Sequence, residues 1–247
     1  MTRRSQGRVL ASAGPSDRPF FVIGPGHDWR APHRDRFHSG VHTPITSSVD
    51  GARTRWVVDF WLDPACPLTR HTARWLTLVA EHRPVEIRWR VMSLAVLNEH
   101  RDDDPEGDTE GFLWIPARVA AAVQTEHGHA ALGAFYDALW TDATGAEREW
   151  IDDLSEALVR AGLPAELADA GTSTEYDAAL RASHRAGVDR IDAEVGTPVL
   201  AITTPDGQRH ALFGPVLTAV PGLEEALRIW DGTLMLAGAA TFREIKR

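Results

Sequence analysis

The chain has 247 residues, and its formal net charge of −9 argues against non-specific nucleic-acid binding, which needs a basic face. No segment approaches the roughly 20 apolar residues of a membrane span, and the apolar run near the N-terminus is too short for a signal peptide. The single cysteine excludes an intramolecular disulfide and is typical of a reducing compartment, so we expect a cytoplasmic protein that does not bind membranes.

Residues 1–53 differ in composition from the rest of the chain. They contain Gly-Pro pairs and many Arg, Ser and His residues, and their one apolar cluster is 20–23. Such a segment buries little apolar surface, so we expect a mostly disordered N-terminal extension.

The folded part begins near Arg55 with an apolar strand over 55–62. A helix over 67–82 follows, and the alternation of apolar and polar residues over 85–91 predicts a second strand. The polar run 101–108 predicts a loop.

Residues 113–193 are predicted to be nearly all helical, because apolar residues recur at three- and four-residue spacing. Within this block Ser173 is the expected N-cap of the last helix, and Gly128 lies at an expected helix break. The predicted helices are 119–126, 130–140, 147–161 and 173–195.

Strand signals return at 198–203 and 209–213, where Pro-Asp-Gly at 205–207 predicts the turn of a hairpin. A final helix is expected over about 223–230. The order is therefore strand–helix–strand, a helical block, a hairpin and a helix.

Cys66 lies where the first strand passes through a short turn into the first helix. Pro67 fits the first helical position, which needs no N–H donor. The free N–H groups and the dipole of the helix start favour an anion there, so the pattern predicts a thiolate with a pKa of about 7.5. Thr69 is three residues further on; its hydroxyl either donates to the sulfur or bonds a nearby carbonyl.

The element order, with Cys66 at the first strand–helix junction and Gly196-Thr197-Pro198 before the hairpin, resembles the thioredoxin fold with an all-helical insertion, as in DsbA-like proteins. Finer details are similar to the mycothiol-dependent nitroreductases of actinobacteria. The matching stretches are Asp59-Phe60-Trp61, Asp63-Pro64, Cys66-Pro67, Arg74-Trp75, the run from Met92 to Glu99, Phe213-Gly214-Pro215-Val216 and Trp230-Asp231.

This resemblance implies an α/β protein, with a thioredoxin-like domain over 54–110 and 194–247 and a helical insertion over 111–193. It implies a cis-proline at Pro198, which lies opposite the cysteine in this fold, and a substrate-facing amide at Asn98. A turn-forming role is the alternative for Asn98.

The sequence departs from the family pattern at the active motif. Family members often carry Cys-Pro-Trp-Cys, whereas this chain has Cys66-Pro67-Leu68-Thr69. Without a second cysteine, an external thiol must release Cys66 from any disulfide, and the resemblance implies mycothiol in that role. We therefore expect Cys66 and Thr69 to be catalytic. The residues expected to bind the thiol or substrate are Pro67, Leu68, Asn98, Thr197 and Pro198.

The sequence thus predicts a thiol-dependent oxidoreductase with no metal, acting on an electrophilic or disulfide substrate. Two alternatives remain open: an enzyme like the kappa-class glutathione transferases and isomerases, and a non-enzymatic redox sensor whose cysteine is modified but not turned over. The oligomeric state, including a homodimer, also remains open.

Overall fold

The computed structural model describes residues 55–103, 105–151 and 153–245. The predicted N-terminal extension lies outside these residues. Within the described part, every helix is too short or too polar to cross a bilayer.

The described chain forms one four-stranded sheet in the order β2-β1-β3-β4. β1 pairs in parallel with β2, and β3 pairs antiparallel with both β1 and β4. The strands are β1 (Trp56–Leu62), β2 (Val85–Val91), β3 (Val199–Thr203) and β4 (Arg209–Phe213). All four agree closely with the strands predicted from alternation and turn signals.

Helices fill the chain between these strands. α1 (Pro67–His82) has the predicted bounds and connects the parallel pair β1 and β2, while α6 (Leu223–Ala237) continues past its predicted end. Between β2 and β3 lie α2 (Leu94–Asn98), α3 (Trp114–Leu139), α4 (Leu154–Arg160), a 3₁₀ helix (Ala165–Thr172) and α5 (Asp177–Val188).

Two predictions within the helical block are wrong. Ser173 is not the N-cap of a long helix, because it ends the 3₁₀ helix and α5 begins only at Asp177. The helix predicted from residue 147 begins at Leu154 instead. Before it, the Asp142 carboxylate accepts hydrogen bonds from the N–H groups of Thr144 and Ala146 and holds a turn.

The helix break at Gly128 is confirmed, since its φ of 81° interrupts α3 with a backbone conformation that favours glycine.

The main core packs α1, α3 and α6 against one face of the sheet. It includes Phe60 from β1, Trp75 from α1 and Trp230 from α6, all almost fully buried. On the opposite face Trp61 packs in a smaller cluster, and its indole N–H donates to Ser183 O at 2.8 Å. Burial on both faces explains why β1 is a nearly continuous apolar run.

The close approach of α3 to β2 depends on glycine at position 133, where an added Cβ would lie 2.3 Å from the Trp89 ring. We expect Gly133→Ala to lower the free energy of unfolding by about 1–3 kcal/mol, the usual cost of overpacking. Urea unfolding measures the change. The control is Gly232→Ala in α6, where nothing lies within 4 Å of the added carbon, and which should gain up to about 1 kcal/mol from helix propensity. Equal stability of the two variants would refute close packing at Gly133.

Candidate active site

The turn that carries Cys66 joins the end of β1 to α1. Cys66 is the N-cap of α1 with extended backbone angles (φ −82°, ψ 116°), and Pro67 occupies the helix start as predicted. The N–H of Cys66 donates to Asp63 O at 3.3 Å, which closes the turn. The cysteine is partly exposed, while Pro67 and Leu68 are exposed beside it. Cys66 is therefore only partly accessible, and the exposed apolar side chain of Leu68 lies close to it in the chain.

Thr69 and Thr197 meet beneath this turn although 128 residues separate them in sequence. Their hydroxyl oxygens are 2.9 Å apart, and Thr69 is fully buried. They meet because β3 runs antiparallel to β1, which brings the residues before Val199 to the end of β1, where Trp61 pairs with Val199. Thr197 Oγ1 also accepts a hydrogen bond from the N–H of Asp63 at 3.2 Å.

The loop before β3 holds Pro198 in the buried interior. The Thr197–Pro198 peptide bond is cis. Pro198 O accepts a hydrogen bond from Gly214 N at 2.9 Å. Within the described residues, neither the N–H nor the C=O of Thr197 takes part in a backbone hydrogen bond. Thr197 itself is 6% exposed.

The expected thiol pKa of about 7.5 is wrong in direction. Burial of the sulfur raises the pKa of the Cys66 thiol above its ordinary value, and the nearby Asp63 carboxyl raises it further. Hydrogen bonds from the Thr69 hydroxyl and from the N–H groups of Leu68 and Thr69 act to lower this pKa but do not reverse the rise. Loss of hydration outweighs the helix terminus because a helix end contributes at most about 2 kcal/mol to a nearby anion.

The hydrogen bond that the structure shows for the Thr69 hydroxyl is neither of the two predicted ones, since its partner is Thr197 Oγ1 at 2.9 Å. The same hydroxyl acts to lower the pKa of the Cys66 thiol, and it bonds no carbonyl among the described residues.

Asn98 lies apart from this group at the last residue of α2, where it is 9% exposed. Its carbonyl accepts a hydrogen bond from Arg101 N at 2.9 Å, which is a turn-forming contact. Within the described part of the chain its side chain forms no hydrogen bond with Cys66 or Thr197. The structure thus brings Cys66, Thr69 and Thr197 together but does not join Asn98 to them.

The sequence interpretation missed Asp63, which belongs to a matched motif but received no role. This carboxyl is 1% exposed, accepts hydrogen bonds from Ala65 N at 2.8 Å and Leu94 N at 2.7 Å, and therefore links the cysteine turn to α2. Burial raises its pKa to about 6. An acid between an apolar strand and a Pro-Ala-Cys turn is the sequence signal that could have identified it.

Tyr136 in α3 is a second residue that the sequence did not indicate. It is 4% exposed, and its hydroxyl makes no hydrogen bond of normal geometry within the described residues. Burial raises the pKa of Tyr136 far above its ordinary value, and the charges of Cys66 and Asp63 add to this rise. The thiol, the carboxyl and the phenol therefore form one electrostatically coupled group.

The described residues contain no group of three or more His, Cys, Asp or Glu side chains that could hold a metal ion.

The effect of the Thr69 hydroxyl on the pKa of the Cys66 thiol leads to a direct prediction. Thr69→Val removes the hydroxyl but keeps the shape, so the thiol pKa should rise and alkylation by iodoacetamide at pH 7 should slow by about 3–10-fold. Thr69→Ser keeps the hydroxyl and should react nearly as the wild type does. Equal rates for valine and threonine would show that this hydroxyl does not act on the sulfur.

The fold and site together define a class of protein. The first half of the fold is a parallel β1–α1–β2 unit, and the second half is an antiparallel β3–β4 hairpin followed by α6. The cysteine lies at the start of α1 and faces the loop before β3. This is a thioredoxin-like fold with helices between its two halves. This is the architecture of the DsbA-like oxidoreductases, as predicted.

The chain belongs to the Rv2466c-like family, described as mycothiol-dependent nitroreductase Rv2466c, whose model matches residues 65–247. This confirms the resemblance seen in the sequence and makes the protein an oxidoreductase.

Solved structures of low identity are also similar to this chain. A cytosolic disulfide reductase DsbM from Pseudomonas aeruginosa with GSH is 17% identical, with a TM-score of 0.43 over 73% of this chain and 100% of that one. The reduced form of DsbG from Mycobacterium tuberculosis is 19% identical, with a TM-score of 0.39 over 70% and 83% of the two chains. DsbA from Chlamydia trachomatis is 11% identical, with a TM-score of 0.42 over 81% and 100%.

Proposed function

We propose that this protein is a monothiol oxidoreductase that uses mycothiol, or another low-molecular-weight thiol, to reduce a disulfide or another electrophilic substrate. The observation that carries the proposal is the pairing of Cys66, the only cysteine in the 247 residues, with Thr69 at the position where a second cysteine would release it. The Thr69 hydroxyl bonds Thr197 and lowers the pKa of the Cys66 thiol, so it supports the thiolate without being able to displace a substrate from it.

The proposed cycle with a disulfide substrate needs two external thiols. The Cys66 thiolate attacks one substrate sulfur, the substrate S–S bond breaks, and the first product leaves as a thiolate. A mycothiol thiolate then attacks the mixed disulfide and releases the second product thiol, which leaves mycothiol bound to Cys66. A second mycothiol takes this bound sulfur away as oxidised mycothiol and regenerates the Cys66 thiolate. Two thiols thus supply the two electrons.

The residues around the sulfur have separate roles in this proposal. Pro67 shapes the helix start, and the exposed Leu68 offers an apolar surface to the substrate where family members often carry tryptophan. The N–H and C=O of Thr197 pair with amide groups of the bound thiol, next to Pro198. We also propose that Asn98 contacts the substrate, with its side chain entering the site only when a ligand is bound.

The domain organisation and location follow from the same proposal. Residues 54–110 and 194–247 act as the catalytic domain, and residues 111–193 form a helical insertion that carries Tyr136. A protein with one reactive thiol and a thiol co-substrate is suited to a reducing compartment, so we propose that it works in the cytoplasm.

The test is to incubate the reduced protein with oxidised mycothiol and to weigh it intact. We expect one mycothiol adduct, located at Cys66 by peptide mapping, which added reduced mycothiol removes. Repeated reduction of a disulfide substrate, coupled to consumption of reduced mycothiol, should follow. Absence of an adduct would overturn the proposal, and an adduct without turnover would indicate a redox sensor instead.

A further inference from the structure

Asp63 connects three segments that lie far apart in sequence. Its side-chain oxygens accept hydrogen bonds from Ala65 N in the cysteine turn and from Leu94 N at the start of α2. Its backbone N–H donates to Thr197 Oγ1 before β3, and its carbonyl accepts from Cys66 N. A single buried residue thus fixes the position of the sulfur relative to both Thr197 and α2.

The two side-chain contacts are best made by a carboxylate. Both oxygens accept from backbone N–H groups, and an ionised carboxyl is an acceptor at both oxygens, whereas an amide accepts at only one. The distances from the Asp63 oxygens to Leu94 N and Ala65 N, 2.7 and 2.8 Å, are in the range of charge-assisted hydrogen bonds. The turn is therefore held most firmly when Asp63 carries its negative charge.

The negative charge of Asp63 also opposes ionisation of the neighbouring Cys66 sulfur. The Asp63 carboxyl raises the pKa of the Cys66 thiol, because two negative charges close together in a buried site repel each other. Glu106, in the loop after α2, also raises the pKa of Asp63. The charges of Cys66 and Asp63 raise the pKa of Tyr136 in α3, while the positive charge of Arg70 lowers it. Asp63 thus orders the site and restrains thiolate formation at the same time.

Building on the proposed function, we propose that Asp63 is a positioning residue that holds the Cys66 turn against α2 and Thr197, and whose negative charge keeps the resting thiol protonated. Cys66 and Asp63 then titrate as a coupled pair. Neutralising Asp63 makes the sulfur easier to ionise and also weakens the hydrogen bonds that position it.

The test is the rate of Cys66 alkylation by neutral iodoacetamide between pH 4.5 and pH 10, as rough limits, in the wild type and in Asp63→Asn. Because the pKa of Asp63 is raised to about 6, the wild-type logarithmic rate should show a shoulder near that pH, where the carboxyl ionises. In Asp63→Asn we expect no shoulder, a lower midpoint, and alkylation at pH 7 that is about threefold faster or more.

The control is Asp59→Asn in β1, the strand that ends just before Asp63. The Asp59 carboxylate pairs with Arg90 at 3.0 Å and makes none of the contacts of the cysteine turn, so its loss should leave the alkylation profile unchanged.

Each outcome bears on the proposal. A residue with only a structural role would lower the unfolding midpoint of Asp63→Asn without lowering the alkylation midpoint, and that result would overturn the inference. If the asparagine variant does not fold, the wild-type profile decides, since a single ionisation without the shoulder contradicts coupling. Alkylation needs neither mycothiol nor turnover, so failure of the proposed function is recognised separately by the absence of a mycothiol adduct.

Discussion

Cys66→Ser abolishes the mycothiol adduct and lowers disulfide-reducing turnover by about 1,000-fold or more, as expected for loss of the only nucleophile at an active site. A serine oxygen cannot form a disulfide, and no other cysteine in the chain can replace the sulfur. The adduct is measured by intact mass and the turnover by consumption of reduced mycothiol.

The structure indicates that Cys66→Ser removes the sulfur without lowering the stability of the fold. Cys66 is the N-cap of α1 but makes no side-chain cap hydrogen bond, whereas serine is among the preferred N-cap residues. Stability should therefore be unchanged or slightly higher in urea unfolding, so that lost activity reports on chemistry. Full activity of the serine variant would contradict our proposal and would favour an enzyme like the kappa-class transferases, in which the bound thiol is itself the reactant.

The strands and α1 could be predicted because their signals are local. Alternation over Val85–Val91, the apolar run of β1 and the Pro-Asp-Gly turn before β4 each lie within a few residues, and the structure has strands at these places. The bounds of α1 follow from Pro67 at its start and from Pro84 just beyond its end, since proline favours a helix start and disfavours continuation.

The helical block was predicted less well because helical periodicity alone does not show where a helix is interrupted. The 3₁₀ helix Ala165–Thr172 falls in the gap between the predicted helices 147–161 and 173–195 and was not predicted as a separate element. At the start of α5, Asp177 makes a tertiary contact, an ion pair with Arg118 of α3 at 2.7 Å. Such a contact has no local sequence signature.

The site residues also divide into those that local sequence indicates and those that it does not. Cys66, Pro67 and Thr69 follow from one turn of sequence, whereas Thr197 was found only through a family resemblance, because the fold brings it close across 128 residues. Asp63 looks like a surface acid in the sequence, and only the structure shows it buried. The direction of the thiol pKa was wrong for the same reason, since it depends on how much solvent the fold removes from the sulfur.

The most informative gain-of-function change is Thr69→Cys, which restores the two-cysteine motif that family members often carry. Residues at the N-cap and three positions later lie over one helical turn, within the range of Cα separations that disulfides span. The introduced thiol can therefore attack a mixed disulfide on Cys66, expel mycothiol as a thiolate and leave an internal disulfide.

We expect Thr69→Cys to shorten the lifetime of the mycothiol adduct by at least about 100-fold, because an intramolecular thiol acts at an effective concentration far above that of any external one. Intact mass after rapid acid quenching should show the adduct decaying to a species that lacks two hydrogens relative to the reduced protein. Thr69→Ser, which has no sulfur, should keep the adduct as long as the wild type does. An unchanged adduct lifetime in Thr69→Cys would mean that a sulfur at position 69 cannot reach Cys66. The need for an external thiol would then have a cause other than the loss of the second cysteine.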